Sequence, residues 1–385
     1  MTKYKLGEII LKIMDFRGKT PKKLGMNWTE NNRDILAISA KNVKNGKLIN
    51  LDKAHYGNEE LYKKWMKEGD IKKGDLLLTS EAPLGESFLV SKPFKAIISQ
   101  RIFLLRPNPE IIDSWYFYLL STTSIFKKKL QERATGTTVL GIKQKELLKI
   151  EVDIPNLKKQ REIVKKIRPI ILKSELNEKI NTNLEEINKL YFSNIFKNTT
   201  NFIKASDIAE IKIGKTPPRK EKKWFSSEKG QIWVSIKDMN SSGSFILDSS
   251  EYLINNATNN FNIQKVSKNT VILSFKLTIG RVKITEQDMF TNEAIAQFKN
   301  AKLPFQFLYT YLKSFPYEIL GSTSSIAKSI NSKIVKNIPI LHPEKYELDN
   351  YMSFAEPIFK EIELHQLENK KLLSIKDELL HRFFN

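Results

Sequence analysis

Short apolar runs broken by polar punctuation fill most of this chain, and two stretches replace that rhythm with a longer one. Leu76-Leu77-Leu78-Thr79, the run 97–105 and Thr270-Val271-Ile272-Leu273-Ser274-Phe275 are β-rich and bounded by Gly, Asn, Ser and Pro, which predicts strands. Helices are predicted at 114–129, around Trp115-Tyr116-Phe117-Tyr118, and at 305–320, around Tyr309 and Tyr311; their aromatics fall on apolar faces and read as core. The longer rhythm runs through Ile163, Ile167, Ile170, Ser174 and Asn177, then Ile180, Leu184, Ile187, Tyr191 and Asn194. A second stripe begins at Ile358, Ile362 and His365 and ends at Leu372, Ile375, Leu379 and Phe383. Alternating steps of three and four residues make a coiled-coil seam. One helix cannot bury a seam alone, so the expectation is an intramolecular pair. Its packing residues are Ile163, Ile167, Ile170, Ile180, Leu184, Ile187 and Tyr191 against Ile358, Ile362, Leu372, Ile375, Leu379 and Phe383. Pro169 and Pro357 lie near the expected helix starts, where proline ends or kinks regular structure.

The pattern occurs twice. Gly18-Lys19-Thr20-Pro21 returns as Gly214-Lys215-Thr216-Pro217, and Ile38-Ser39-Ala40-Lys41-Asn42 as Val234-Ser235-Ile236-Lys237-Asp238, both at an offset of 196. Lys73-Gly74-Asp75-Leu76-Leu77-Leu78 with Gly85 matches Lys268-Asn269-Thr270-Val271-Ile272-Leu273 with Gly280, at 195. Pro169, Glu175, Leu176, Leu184, Ile187 and Phe196 match Pro357, Glu363, Leu364, Leu372, Ile375 and Phe384, at 188. A period this long is no solenoid; it means a domain-plus-helix unit in tandem. The expected fold class is α+β: two similar α/β domains at 1–155 and 198–343, and two long helices at 156–197 and 344–385 forming an antiparallel coiled coil, with pseudo-twofold symmetry.

Composition narrows the partner. Lys and Arg number 64 against 43 acidic residues, for a net charge of +21. Such an excess opposes compaction unless a polyanion neutralises it, so nucleic acid or an anionic membrane is implied. The charge is spread along the whole chain, unlike a polybasic membrane anchor, and no apolar run reaches the roughly 20 residues of a membrane span. The first fifteen residues, with Lys3, Lys5 and Lys12 among them, do not read as a signal peptide. There is no cysteine, which removes disulfides and thiolate metal sites and fits a reducing cytoplasm.

Catalytic chemistry is missing. The two Gly-Lys-Thr runs lack the upstream glycine of a phosphate-binding loop, Ile13 and Ala209 standing there instead, and the proline after each Thr blocks the helix that should follow. No methyltransferase motif, nucleophile or carboxylate cluster stands out. His55, His342, His365 and His381 are scattered, so no metal site is expected. The chain therefore reads as a binder. Basic and small polar residues gather in the punctuating loops: Arg17, Lys19, Thr20, Lys22 and Lys23; Ser39, Lys41, Asn42 and Lys44; Arg133, Thr137, Thr138 and Lys143 in the first half. The second half offers Lys215, Thr216, Arg219 and Lys220; Lys237, Asp238 and Asn240; Arg281, Thr323, Ser324 and Lys328. Cationic side chains neutralise phosphates and the polar ones can meet base edges, so these are the candidate DNA-binding residues.

The layout resembles the specificity subunit of type I restriction–modification systems. The resemblance is carried by the Gly-Lys-Thr-Pro segment after each opening strand, by the Lys73-Gly74-Asp75-Leu76 strand and its looser copy at Lys268, and by the passage from Gly136-Thr137-Thr138 into Gln160-Arg161-Glu162-Ile163-Val164 and a long helix. It implies two target-recognition domains, each reading half of a split, asymmetric DNA site, held apart by the helices. It also implies two methyltransferase subunits docked on those helices and motor–nuclease subunits joining for cleavage. Adenosylmethionine and Mg/ATP then belong to the partners, and this chain needs no cofactor. From Pro169 to Phe196, about 28 residues, a helix spans roughly 42 Å, near one turn of B-DNA. The alternatives are a self-sufficient restriction–modification enzyme, against which the missing motifs argue, and a basic coiled-coil scaffold.

Overall fold

A computed structural model describes residues 1–276, 278–320 and 330–384. The chain divides into two compact units, one of residues 1–172 with 373–384, the other of residues 173–372. The division cuts through both long helices, Leu157–Ile195 and Lys345–Phe384, so each unit owns one head and a piece of each helix.

In the first unit the opening strand Thr2–Lys5 pairs antiparallel with Glu151–Ile154, which closes the head on itself. The central sheet runs Ile10–Asp15, Ile102–Pro107, Leu76–Thr79, Ser87–Leu89, all antiparallel. Its centre is buried on both faces. Side chains alternate along a strand: Leu76, Leu78, Phe103 and Leu105 enter the core shared with the helices, and Leu77, Ile102 and Leu104 enter a second core beneath His55–Gly57, Ile35–Ile38 and Ile97–Ile98. That double burial explains why Leu76-Leu77-Leu78 is continuously apolar.

The second unit repeats the plan. Phe202–Lys204 pairs with Pro339–Leu341, and the central sheet runs Glu210–Ile213, Ile295–Lys299, Val271–Ser274, Val282–Thr285, with Phe245–Ile246 added in parallel at the edge. Val271 stands opposite Ile284 and Phe298 as Leu76 stands opposite Leu89 and Leu105.

The aromatic helices are shorter than expected. The first ends at Thr122 and a new helix, Ser124–Arg133, begins with Thr123 as its cap, the hydroxyl accepting from the Phe126 N–H at 3.2 Å. The second is Phe305–Ser314; Pro316 then stands before a 3-10 turn at Tyr317–Leu320.

The long helices begin a dozen residues before Pro169 and Pro357, so each proline stands inside a helix and marks no start. In the first unit Ile163, Val164 and Ile167 are buried with Leu379, Leu380, Phe383 and Phe384 packed on the same core, and the Phe384 ring lies 5.1 Å from Tyr116. The second unit uses Phe192 and Phe196 in the same way, within 5.5 Å of Phe307 and Tyr351. There the helix pair runs antiparallel: Asn177 meets Glu368 and Asn369, Asn181 meets His365, and Tyr191 meets Phe354.

Two expected seam positions are wrong. Ile187 is 50% exposed and Ile375 46% exposed. What the first helix buries in the second unit is Asn177, Asn181, Asn188 and Phe192. A straight helix drifts by roughly 20° per heptad against a 3.5-residue repeat, so the buried face slips from the Ile180–Ile187 register to the next residue along. The three asparagines are held by partners: Asn177 donates to Glu368 at 2.6 Å, Asn181 lies 2.8 Å from His365, and Asn188 donates to Thr310 at 2.9 Å while accepting from the Tyr351 hydroxyl at 3.1 Å.

Candidate nucleic-acid interface

Each loop set is best judged by what its side chains already hold. In the first head Gly18 takes φ +78°, which glycine adopts freely, and Thr20 caps the 3-10 turn Pro21–Leu24. Arg17 is spent internally: its guanidinium clasps Asp15, donates to the Ile142 carbonyl at 2.7 Å and lies 4.4 Å over the Phe103 ring. Lys19 donates to the Trp65 carbonyl at 2.7 Å, and burial, with Lys67 nearby, lowers its pKa. Lys23 bonds back to the Gly18 carbonyl at 2.6 Å, and Lys22 stays exposed without a side-chain partner.

The second loop contains a built turn. The Asn42 amide oxygen accepts from the Ser39 N–H at 3.0 Å and hydroxyl at 2.9 Å, and its amide nitrogen donates to the Ile49 carbonyl. In the second head the Asp238 carboxylate accepts from the Ser235 N–H at 2.8 Å and hydroxyl at 2.6 Å, and from the Ser250 N–H. The repeated Ser-x-x-Asn/Asp thus holds backbone, and Asn42 and Asp238 are not offered to bases. Beside these turns, Lys41 and Lys44, and in the other head Lys237 and Asn240, are exposed.

In the third set Arg133 pairs with Glu146 at 3.1 Å, while Thr137, Thr138 and Lys143 are exposed. In the second head Thr216 donates to Glu293, and Arg219 pairs with Glu251 at 2.9 Å while lying 4.6 Å over both Phe225 and Trp233. Arg281 donates to the Ile236 carbonyl at 2.8 Å. Lys215 and Lys220 are exposed; Thr323, Ser324 and Lys328 lie outside the described residues. Gly214 matches Gly18 in sequence yet serves another end: a Cβ there would strike the backbone oxygens of Thr291 and Asn292.

The first head's loops converge. Arg17 ties the first to the third through Ile142, whose N–H donates to the Ser80 carbonyl at 3.0 Å. The second joins through the Ala40 N–H on the Gln100 carbonyl at 3.2 Å and the Asn45 N–H on Glu86 at 2.6 Å. All three therefore meet the 79–86 hairpin. The second head closes that hairpin with the same bond: Thr79 and Ser274 hydroxyls accept from the Glu86 and Arg281 N–H groups, at 2.8 and 3.0 Å.

The apolar run 97–105 is two strands and not one, with residues 99–101 between them. Strands Ile97–Ile98 and Ile102–Pro107 end on either side of them, and Arg101 turns to φ +65° with its side chain on Glu81 at 2.9 Å. A polar trio inside an otherwise apolar run was the available signal. Among the described residues no group of three His, Cys, Asp or Glu could hold a metal, and no helix is long and apolar enough to cross a membrane.

Two duplicated heads with polar loops on a matched framework accord with the family comparison, in which the type I restriction modification DNA specificity domain matches residues 1–186 and again 198–374. The chain belongs to this family. Specificity subunits similar to it include that of the type I restriction enzyme MjaIX of Methanocaldococcus jannaschii, 22% identical over 90% of this chain and 85% of its own length. That of HindI of Haemophilus influenzae is 22% identical over 82% of this chain and 86% of its own length. The fold is similar to a type I restriction–modification S subunit from M. genitalium, with a TM-score of 0.59 at 14% identity, covering 100% of this chain and 96% of that one. As a type I specificity chain it has a DNA-recognition role and is not the catalyst of its system.

Proposed function

We propose that each head of this specificity chain reads one half of a split, asymmetric duplex target. The paired helices carry two methyltransferase subunits, and motor–nuclease subunits join them for cleavage in the cytoplasm. Adenosylmethionine and Mg/ATP are held by those partners. One observation carries the reading: the two heads share sheet order, turn and hairpin, while their exposed loop residues differ, as two readers of different sequences should. Lys22, Lys41 and Lys44 are its phosphate contacts in the first head.

The test maps methylated sites in a host carrying this chain with its methyltransferase subunits. Replacing Lys22, Lys41 and Lys44 by Ala should weaken binding across sequences and reduce the slope of log affinity against log salt by up to about 3. Exchanging the exposed residues of one head should rewrite one half-site only. Methyl transfer or cleavage by the purified chain alone would defeat the proposal.

A further inference from the structure

A polar cavity of about 510 Å³ opens in the first head, between the Ser39 turn and residues 99–101. Trp28 lines it, with Trp65 tilted behind at 5.5 Å and His55 stacked on it at 5.4 Å and 7°. Ser99 also lines it, and its hydroxyl makes no hydrogen bond within the chain. Three wall residues other than glycine hold left-handed backbone: Asn50 at φ +52°, Ala82 at +48° and Arg101 at +65°. Strain of this kind persists where surrounding structure imposes it, and clusters at binding sites. Lys41 and Lys53 stand at the cavity with their ammonium groups unpaired, whereas Arg101 is neutralised by Glu81.

Shape decides the ligand class. Base edges in a duplex groove are met by groups that project into it; a hollow suits something that projects from the nucleic acid. An aromatic stack, an unbonded hydroxyl, the free Gln100 amide and two unpaired ammonium groups together suit a planar heterocycle carrying an anion. The second head keeps the aromatic pair as Trp224 and Phe261, 5.2 Å apart, but puts Glu251 where His55 stands and ties it to Arg219.

We propose that this cavity binds a single nucleotide, its base against the Trp28–His55 stack and its phosphate at Lys41 and Lys53. The proposal rests on the reading of this head as a DNA binder. The nucleotide is either one swung out of the bound strand or a free mononucleotide. Unstacking a base is costly, and an aromatic face with new hydrogen bonds offsets part of that cost.

The experiment uses the full chain assembled with its methyltransferase subunits on a duplex bearing the mapped target. 2-Aminopurine is placed singly at each position in and beside the first half-site. Wild type should brighten one position severalfold, and the double variant His55→Ala, Ser99→Ala should return it to the duplex level while specific binding is retained. In a second arm, deoxynucleoside monophosphates are titrated against tryptophan emission. A saturable change in wild type, lost in the variant, with no bright position, assigns the cavity to free nucleotide. A position that stays bright in the variant was opened by a methyltransferase subunit and counts against the cavity. Intact specific binding with neither signal overturns the proposal alone. Failure of specific binding altogether would fall on the DNA reading of the head, and the titration would still decide whether the cavity takes a nucleotide.

Discussion

At the turn into its central strand each head solves one geometric problem, and the two use different chemistry. The first head has Gly74-Asp75, the second Asn269-Thr270. The Asp75 carboxylate, 1% exposed, accepts from the Arg106 Nε and terminal nitrogen, both at 2.8 Å, and from the Lys72 N–H at 2.7 Å. Thr270 makes no ion pair among the described residues; its N–H donates to the Thr285 hydroxyl at 2.9 Å, and that hydroxyl donates on to the Ser267 carbonyl. One strand over the positions reverse. Phe88 faces Leu77 across the first sheet, and the buried Lys283 faces Ile272 across the second. Duplication has kept the backbone and left each head to bury its charge at a different place. The heads should therefore fail under different stresses.

The sharpest way to break that comparison is Asp75→Ala against Thr270→Ala. Removing one partner of a buried pair leaves the other charge uncompensated and costs about 3–5 kcal/mol. Losing the threonine side chain removes no ion pair and should cost only about 1 kcal/mol. Hydrogen exchange along Leu76–Thr79 and Val271–Ser274 reads the two heads separately. Equal losses would mean that the ion pair adds nothing to the first head.

How much of this was written plainly in the chain follows the same division. Backbone repetition was legible, because a fixed offset between Leu76-Leu77-Leu78 and Val271-Ile272-Leu273 has no local cause and demands a copied fold. Side-chain duty was not. Ser39, Asn42 and Asp238 read in the sequence as polar groups on offer, and each helps to close a turn, Ser39 with Asn42 and Asp238 with Ser235. Arg17 and Lys19 looked free because their acceptors, at Ile142 and Trp65, are distant in sequence. In the helices an apolar stripe drew attention to Ile187, but helical drift gives its place to Asn188, whose burial makes sense only once Thr310 and Tyr351 stand beside it. The signals missed were polar residues in apolar company, at 99–101 as in the seam.

Lys283 supplies a second test. Burial, with Lys313 close by, lowers its pKa from 10.5 to about 8, and its ammonium donates to the Ser241 carbonyl at 2.6 Å. Below pH 8 the buried charge opposes folding in full. Between pH 8 and 10.5 the unfolded chain binds the extra proton, so the stability of the second head rises with pH, by ~3 kcal/mol across the window. Tyr309 and Tyr317, pushed up by burial, act with the opposite sign once tyrosines of the unfolded chain ionise near pH 10, so the rise is clearest from pH 8 to 9.5. Urea unfolding followed in the second head should show it, Lys283→Met should flatten it, and the first head, with Phe88 at this place, should show only the smaller rise that the lowered pKa of Lys19 gives. A flat profile in the wild type would remove the distinction.

The smallest effect tests whether the shared backbone is as interchangeable as it looks. Gly74 sits at φ +91° and Asn269 at φ +61°. Asparagine visits the left-handed region more readily than other residues with a side chain, which is why the second copy can dispense with glycine. Asn269→Gly should then change stability by only a few tenths of a kcal/mol, and Asn269→Ala should cost about 1 kcal/mol, since alanine lacks the local hydrogen bonding that eases this conformation. The reverse exchange is not equivalent. At Gly74 a Cβ would lie 2.7 Å from the Ser114 hydroxyl, so Gly74→Asn meets a steric contact that φ alone does not foresee. Gly74→Asn should cost more than Asn269→Ala, and adding Ser114→Gly should recover part of the loss. If both heads tolerated either residue equally in melting experiments, the turns would differ by history alone, and the asymmetry argued for Asp75 and Lys283 would have to stand without support from the backbone beside them.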